Sequence, residues 1–233
     1  MSYSGQSAVS PRISPFPAVP HREGTKEGLS ALDTLGSVCR FRRGETIFGE
    51  GDELRSSYKI VSGAVRLSRN TEDGRRQIVE FRTAGDFLGF EWGGQCALSA
   101  EAVRDVVAIR YMRTRVDRLV EERSDVRESL VALIREELHA AHEHLITLGC
   151  QSAKERVAHF LLQMARKARV NDGETLEIEL GRQDMADYLG LTLETISRTL
   201  SEFRSTGAIA LPKRRQIRIV NKAKLRAQSV TIN

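Results

Sequence analysis

The sequence predicts an α+β protein built from an N-terminal double-stranded β-helix (jelly roll), one long helix and a C-terminal winged helix-turn-helix domain. Three observations carry this. Residues 39–111 are short alternating apolar runs broken by glycine at frequent intervals, the pattern of many short strands closing a double-sheet roll. Residues 116–148 contain no proline or glycine and place apolar residues every three or four positions, as a long amphipathic helix does. Residues 181–203, GRQDMADYLGLTLETISRTLSEF, read as two short helices about a glycine, with a basic-tipped hairpin after them. The expected boundaries are a tail over 1–28, the roll over 29–114, a dimerisation helix over 115–149 and the winged domain over 150–233.

At 233 residues the chain is long enough for two domains, each with its own core. Residues 1–28 hold four of the five prolines among many serines and glycines. They bury too little apolar surface to offset ordering entropy, so a disordered tail is expected. The roll then follows in the segments CRFRRGETIFGEGD, YKIVSGAVRLSRN, DGRRQIVEFRTAGDFLGF and SAEAVRDVVAIRYM, with turns at Gly44, Gly51, Gly63, Gly74, Gly85 and Gly89.

On the long helix, Val131, Ile134, Leu138, Ala141, Leu145 and Leu148 alternate spacings of three and four, the seam of two helices packed at a shallow angle. Val126, Leu130 and Leu133 widen the stripe on one side. The narrow seam suits a second copy of the chain and the wider patch suits docking on the roll. Gly149 and Cys150 mark a hinge. A helix follows with Val157, Phe160, Leu161 and Met164 inward, then the turn NDGE and the strand TLEIEL.

Within 181–203, the first helix is expected over 182–189 with Met185, Ala186 and Leu189 inward. The second is expected over 193–204 with Ile196, Leu200 and Phe203 inward. Gly190 is placed to end the first in the left-handed conformation, and Thr192 to cap the second. Glu194, Ser197 and Arg198 then share one face of the second helix within its first two turns. Arginine pairs bidentately with guanine O6 and N7, and glutamate accepts from the cytosine amino group, so together they suit one G·C pair. Glu194 and Arg198 also suit a bare i, i+4 surface pair worth a few tenths of a kcal/mol. The hairpin IALPKRRQIRIV favours the first reading, because Lys213, Arg214 and Arg215 at its tip form a wing that lies on phosphates. Arg182, Thr192 and Thr195 are further candidate phosphate contacts.

Charge is distributed accordingly. From residue 151 onward there are 15 Lys and Arg against 9 Asp and Glu, a net of +6; the first 150 residues carry 21 against 22, a net of −1. A basic excess confined to one half is the footprint of a double-stranded DNA partner. No apolar run approaches the ~18 residues that cross a bilayer, and no signal-peptide core is present, so a cytoplasmic protein without membrane contact is expected. Cys39, Cys96 and Cys150 are odd in number and widely spaced, which fits reduced thiols. No nucleophile triad, metal motif or phosphate loop stands out, and Asp184 with Asp187 fits helix polarity better than paired catalytic carboxylates.

Roll, long helix and winged helix in this order resemble the CRP/FNR family of bacterial transcription regulators, from about residue 39 to 221. The segments carrying the likeness are RRGETIFGEGD, SGAVRL, AGDFLGFE and LGLTLETISRTL. The resemblance implies a cyclic-nucleotide-binding-like roll and a homodimer that contacts RNA polymerase. Glu194, Ser197 and Arg198 match the E-x-x-S-R pattern of the FNR and FixK branch, and Leu193 stands where cyclic-AMP-responsive members carry arginine. This implies a TTGAT-N4-ATCAA type palindrome, and the run from Gly181 to Gly190 resembles FixK regulators of microaerobic and nitrogen-fixation genes.

Departures from the family bear on cofactors. Phe90 and Leu98 occupy the positions that hold the ribose and phosphate of a cyclic nucleotide, where leucine would leave a buried charge unpaired; Arg104 is the nearest substitute. No cysteine precedes Cys39, and Ala108 stands at the roll cysteine of the oxygen-sensing branch, so iron–sulfur ligands are missing. His139, His142 and His144 are expected to face solvent or the partner helix. The expectation is a regulator without cofactor or metal. The alternative is an effector-gated sensor whose roll binds an unidentified small molecule or responds to oxidation at Cys96 or Cys150.

Overall fold

The structure is a computed structural model and describes residues 28–90, 94–150, 152–167, 173–177, 180–213 and 216–229. The expected tail lies outside these residues except for Gly28. Among the described residues eight short strands make the roll: β1 (Ser37–Phe41), β2 (Thr46–Phe48), β3 (Ser56–Ser62), β4 (Ala64–Asn70), β5 (Arg76–Thr83), β6 (Phe87–Leu88), β7 (Ser99–Ala102) and β8 (Val106–Met112). They form two antiparallel sheets, ordered β1-β8-β3-β6 and β2-β7-β4-β5.

Alternation along the strands turns Ile60, Val65, Leu67, Ala100, Ala102, Val106 and Ala108 into the space between the sheets, where all are buried. The chain switches sheets at Gly63, whose φ is 102°. A Cβ there would sit 2.4 Å from the Asp105 carbonyl oxygen, so the β3–β4 corner requires glycine.

The single helix expected over 115–149 is two helices. Helix α1 (Arg113–Glu122) stops at Arg123, which is extended at φ −126° and ψ 113°, and α2 (Ser124–Cys150) starts at the next residue. Neither proline nor glycine causes the break. Ser124 and Asp125 are residues that favour helix starts over helix interiors, and Arg123 holds the corner by donating from Nε and Nη2 to the two Asp125 carboxylate oxygens at 3.0 and 2.5 Å.

Beyond the break, Val126, Leu130 and Leu133 bury against Leu29, Leu32, Phe87 and Tyr111, so the wider patch docks on the roll as expected. A short 3₁₀ helix, Ser30–Thr34, supplies Leu32 to this contact. Gly28 lets the segment approach: a Cβ would come within 2.3 Å of Ser129 Oγ and 2.5 Å of the Asp125 carbonyl oxygen on α2. Buried Arg82 of β5 fastens the roll to the same helix, donating to Glu137 at 2.8 Å and pairing with Glu80.

The C-terminal domain comprises α3 (Ala153–Lys167), β9 (Thr175–Glu177), α4 (Arg182–Leu189), α5 (Leu193–Ser205), β10 (Ile209–Lys213), β11 (Gln216–Ile219) and α6 (Lys222–Arg226). Its core joins Val157, Phe160, Leu161 and Met164 of α3 to Met185 and Leu189 of α4, Ile196, Leu200 and Phe203 of α5, and Ile209, Ile217 and Ile219 of the sheet. The same core continues into the roll through Ala64, Ile78 and Phe81. Among the described residues no helix is long and apolar enough to cross a membrane.

Candidate nucleic-acid interface

Helix α4 ends where Gly190 adopts φ 62° and ψ 41°, and the Leu191 amide then bonds back to the Ala186 carbonyl at 3.0 Å. That left-handed stop turns the chain sharply enough to start α5 three residues later. Thr192 caps α5, its hydroxyl oxygen accepting from the Thr195 amide at 3.1 Å, and the two threonine hydroxyls lie 3.0 Å apart. The Arg156 guanidinium donates to the Leu189 carbonyl at 3.1 Å, satisfying an orphan acceptor at the end of α4. Helix, turn and helix therefore form one rigid unit seated on α3.

Burial of Ile196, Leu200 and Phe203 leaves the opposite face of α5 outward. Glu194 and Arg198 are exposed and Ser197 is half-buried. Glu194 and Arg198 are not paired with each other, and among the described residues neither has an ion-pair partner. A side chain without an internal partner keeps its full donor or acceptor capacity for a base edge. Arg182 is likewise unpaired among the described residues and stands at the first turn of α4.

The wing is present as β10 and β11, paired antiparallel from Ile209 opposite Ile219 to Lys213 opposite Gln216. Lys213 ends β10, while Arg214 and Arg215 lie outside the described residues. At the far end of α5, the Lys224 ammonium donates to the Thr206 carbonyl at 2.8 Å, which suits the negative end of a helix dipole. Nothing in the sequence pattern singled out that lysine or Arg156.

Two other expectations change. His144 faces neither solvent nor a partner helix: its ring stacks on Tyr188 of α4 at 4.3 Å and 15°. Its Nε2 is buried without a partner among the described residues, and burial lowers its pKa. Asp184 and Asp187 do more than complement a helix dipole, since both pair with arginines of the roll. In the roll, Phe90 stacks edge-on against Phe87 at 5.4 Å, and Leu98 packs on the core between the sheets. Both side chains supply apolar surface and no hydrogen-bond donor. Cys96 is buried, and burial raises the pKa of the Cys39 thiol.

A jelly roll joined through long helices to a winged helix-turn-helix, with free polar groups on the outward face of its second helix, has the build of a DNA-binding transcription regulator. The Crp-like helix-turn-helix domain family matches residues 155–228, and the cyclic nucleotide-binding domain family matches residues 38–123. The chain is 40% identical over 185 residues to the nitrogen fixation regulation protein FixK of Bradyrhizobium diazoefficiens, covering 78% of each chain. It is 32% identical over 205 residues to the transcriptional activator protein FnrL of Cereibacter sphaeroides, covering 85% of this chain and 83% of that one. Among solved structures, FixK2 from Bradyrhizobium japonicum matches with a TM-score of 0.78 at 35% identity, over 85% of this chain and 99% of that one. The chain belongs to the CRP/FNR family of transcription regulators and is similar to its FixK members.

Proposed function

We propose that the protein is a cytoplasmic homodimeric activator of microaerobic and nitrogen-fixation genes, binding a TTGAT-N4-ATCAA type palindrome without cyclic nucleotide or iron–sulfur cluster. The carrying observation is the outward face of α5, where Arg198 and Glu194 stand, among the described residues, unpaired beside Ser197 in the first two turns. Those turns are the ones a recognition helix presents to base edges. Arg198 and Glu194 read the G·C pair of each half-site and Ser197 contacts thymine or phosphate. Arg182, Thr192, Thr195, Lys213, Arg214 and Arg215 hold the backbone.

Dimerisation is supported by the seam of α2. Val131, Ile134, Leu138 and Leu145 are all exposed, Leu138 by 55% and Leu145 by 64%, and Ala141 and Leu148 complete the row. An apolar row this long on one helix is buried by a second copy. Two copies joined there present recognition helices to successive major grooves, with half-site centres about 34 Å apart. The names of the FixK relatives support the regulated process, and the family supports contact with RNA polymerase. Phe90, Leu98 and Ala108 support activity without the family's usual effectors.

Fluorescence anisotropy of ligand-stripped protein on inverted TTGAT and TGTGA repeats, in air and without oxygen, tests the reading. Tight binding to TTGAT alone under both atmospheres is expected. Binding that needs anaerobiosis or cell extract would assign the roll or a cysteine a sensing role, the effector-gated alternative.

A further inference from the structure

Asp184 and Asp187 occupy the first helix of the helix-turn-helix, yet their side chains are only 14% and 10% exposed. Both point across the domain boundary. Arg66 of β4 donates through Nη1 to Asp184 Oδ1 at 3.0 Å and through Nη2 to Glu101 of β7 at 2.5 Å. Arg76 of β5 donates through Nη2 to the same Asp184 oxygen at 2.8 Å and through Nε to Asp187 Oδ2 at 2.8 Å. Gln183 donates to the other Asp187 oxygen at 2.7 Å, so that carboxylate is held on both sides. Next to the clamp, Phe81 of β5 packs on Tyr188 with ring centres 5.5 Å apart.

Guanidinium forks fix direction as well as distance, because their donors are planar and rigid. Helix α4 is in turn joined rigidly to α5 by the Gly190 stop, the Thr192 cap and the shared core. Whatever orients α4 on the roll therefore orients Arg198 relative to α2, and the α2 seam fixes the dimer axis.

We propose that Arg66 and Arg76 are positioning residues for half-site recognition: from the β4–β5 hairpin of the roll they set the angle of the recognition helix, and thereby the spacing between half-sites that the dimer accepts. This rests on the palindrome-binding dimer proposed above. One inserted base pair shifts and rotates a half-site by about 3.4 Å and 35°, so a fixed recognition helix tolerates one spacing and a loosened one tolerates several. Arg66 and Arg76 touch no base, and act through Asp184 and Asp187.

The test uses full-length protein and TTGAT palindromes with spacers of three, four and five base pairs, with Arg76→Gln and Arg76→Lys beside the wild type. Wild type is expected to prefer the four-base-pair spacer. Arg76→Gln should lose about tenfold on that site, bind the three spacers nearly alike, and still reject a half-site lacking the guanine. Arg76→Lys, which keeps charge without the fork, should recover affinity more than spacing preference. Equal loss on all three spacers with the preference intact would overturn the proposal, since that is what a merely stabilising pair would give. Hydrogen exchange without DNA supplies an independent readout: Arg76→Gln should deprotect α4 and the β4–β5 hairpin together, and unchanged protection at both would also overturn it. Wild type binding none of the palindromes would overturn the functional reading alone, leaving exchange to decide the clamp.

Discussion

Arg198 is the residue whose chemistry is most exposed to test. Among the described residues it has no ion-pair partner on α5, so Arg198→Ala removes the proposed base contact without breaking an internal pair. A loss of roughly 1–3 kcal/mol on the cognate palindrome is expected, with relaxed discrimination at the guanine of each half-site. Competition anisotropy against guanine-substituted sites measures it, and equal losses on cognate and scrambled DNA would remove Arg198 from base readout. His144 makes a different prediction, about pH. Burial lowers its pKa below the usual histidine value of about 6.5; a backbone hydrogen bond at Tyr188 opposes this, and Arg156 and His159 of α3 add to it. Above 6.5 the ring is neutral in folded and unfolded chains alike and contributes no pH dependence. As pH falls through 6.5 the unfolded chain takes up a proton that the folded chain resists, so stability drops. The melting temperature should therefore fall between pH 7 and 5.5 (about the range of histidine titration), and His144→Phe, which keeps the stack on Tyr188, should flatten that slope.

At the scale of elements, some features could be read from the chain and others could not, for identifiable reasons. The helix-turn-helix was readable because Gly190, Thr192 and the inward Ile196, Leu200 and Phe203 are local signals within one or two turns. The break at Arg123 carries neither glycine nor proline, the usual sequence marks of a helix end; Ser124 and Asp125 start a new helix by their own preference for that position. The roles of Asp184, Asp187 and His144 leave no local signal in the sequence. Their partners lie over a hundred residues away or across a helix junction, and no periodicity encodes such contacts. The wing supplies the prediction that belongs here. Lys213 ends β10 at the tip of a basic hairpin, so Lys213→Ala should weaken binding to all sequences alike and flatten the logarithmic salt dependence by about one unit. Titration across several salt concentrations reads the slope directly, and a sequence-selective loss would place Lys213 among the base contacts instead.

Across the whole molecule, the same helix faces two ways, one face packed on the roll and the other exposed. Val126, Leu130 and Leu133 are spent inside the monomer against the roll, so changes there should unfold the chain. Leu138 lies on the other face with more than half its surface exposed, so a charge placed there disturbs the monomer little and a paired seam severely. Leu138→Glu would bring two like charges together across a two-fold helix pair, where burial magnifies their repulsion. The variant should keep the circular dichroism spectrum of the wild type, sediment as a monomer, and lose at least about a hundredfold in affinity for the palindrome, because two linked half-site contacts become two independent ones. Its binding to an isolated half-site should remain that of the wild type, since Arg198 and Glu194 sit on a domain the substitution does not touch. A Leu138→Glu protein that still sediments as a dimer would place the two-fold axis elsewhere on the molecule, and with it the geometry that relates one recognition helix to the other.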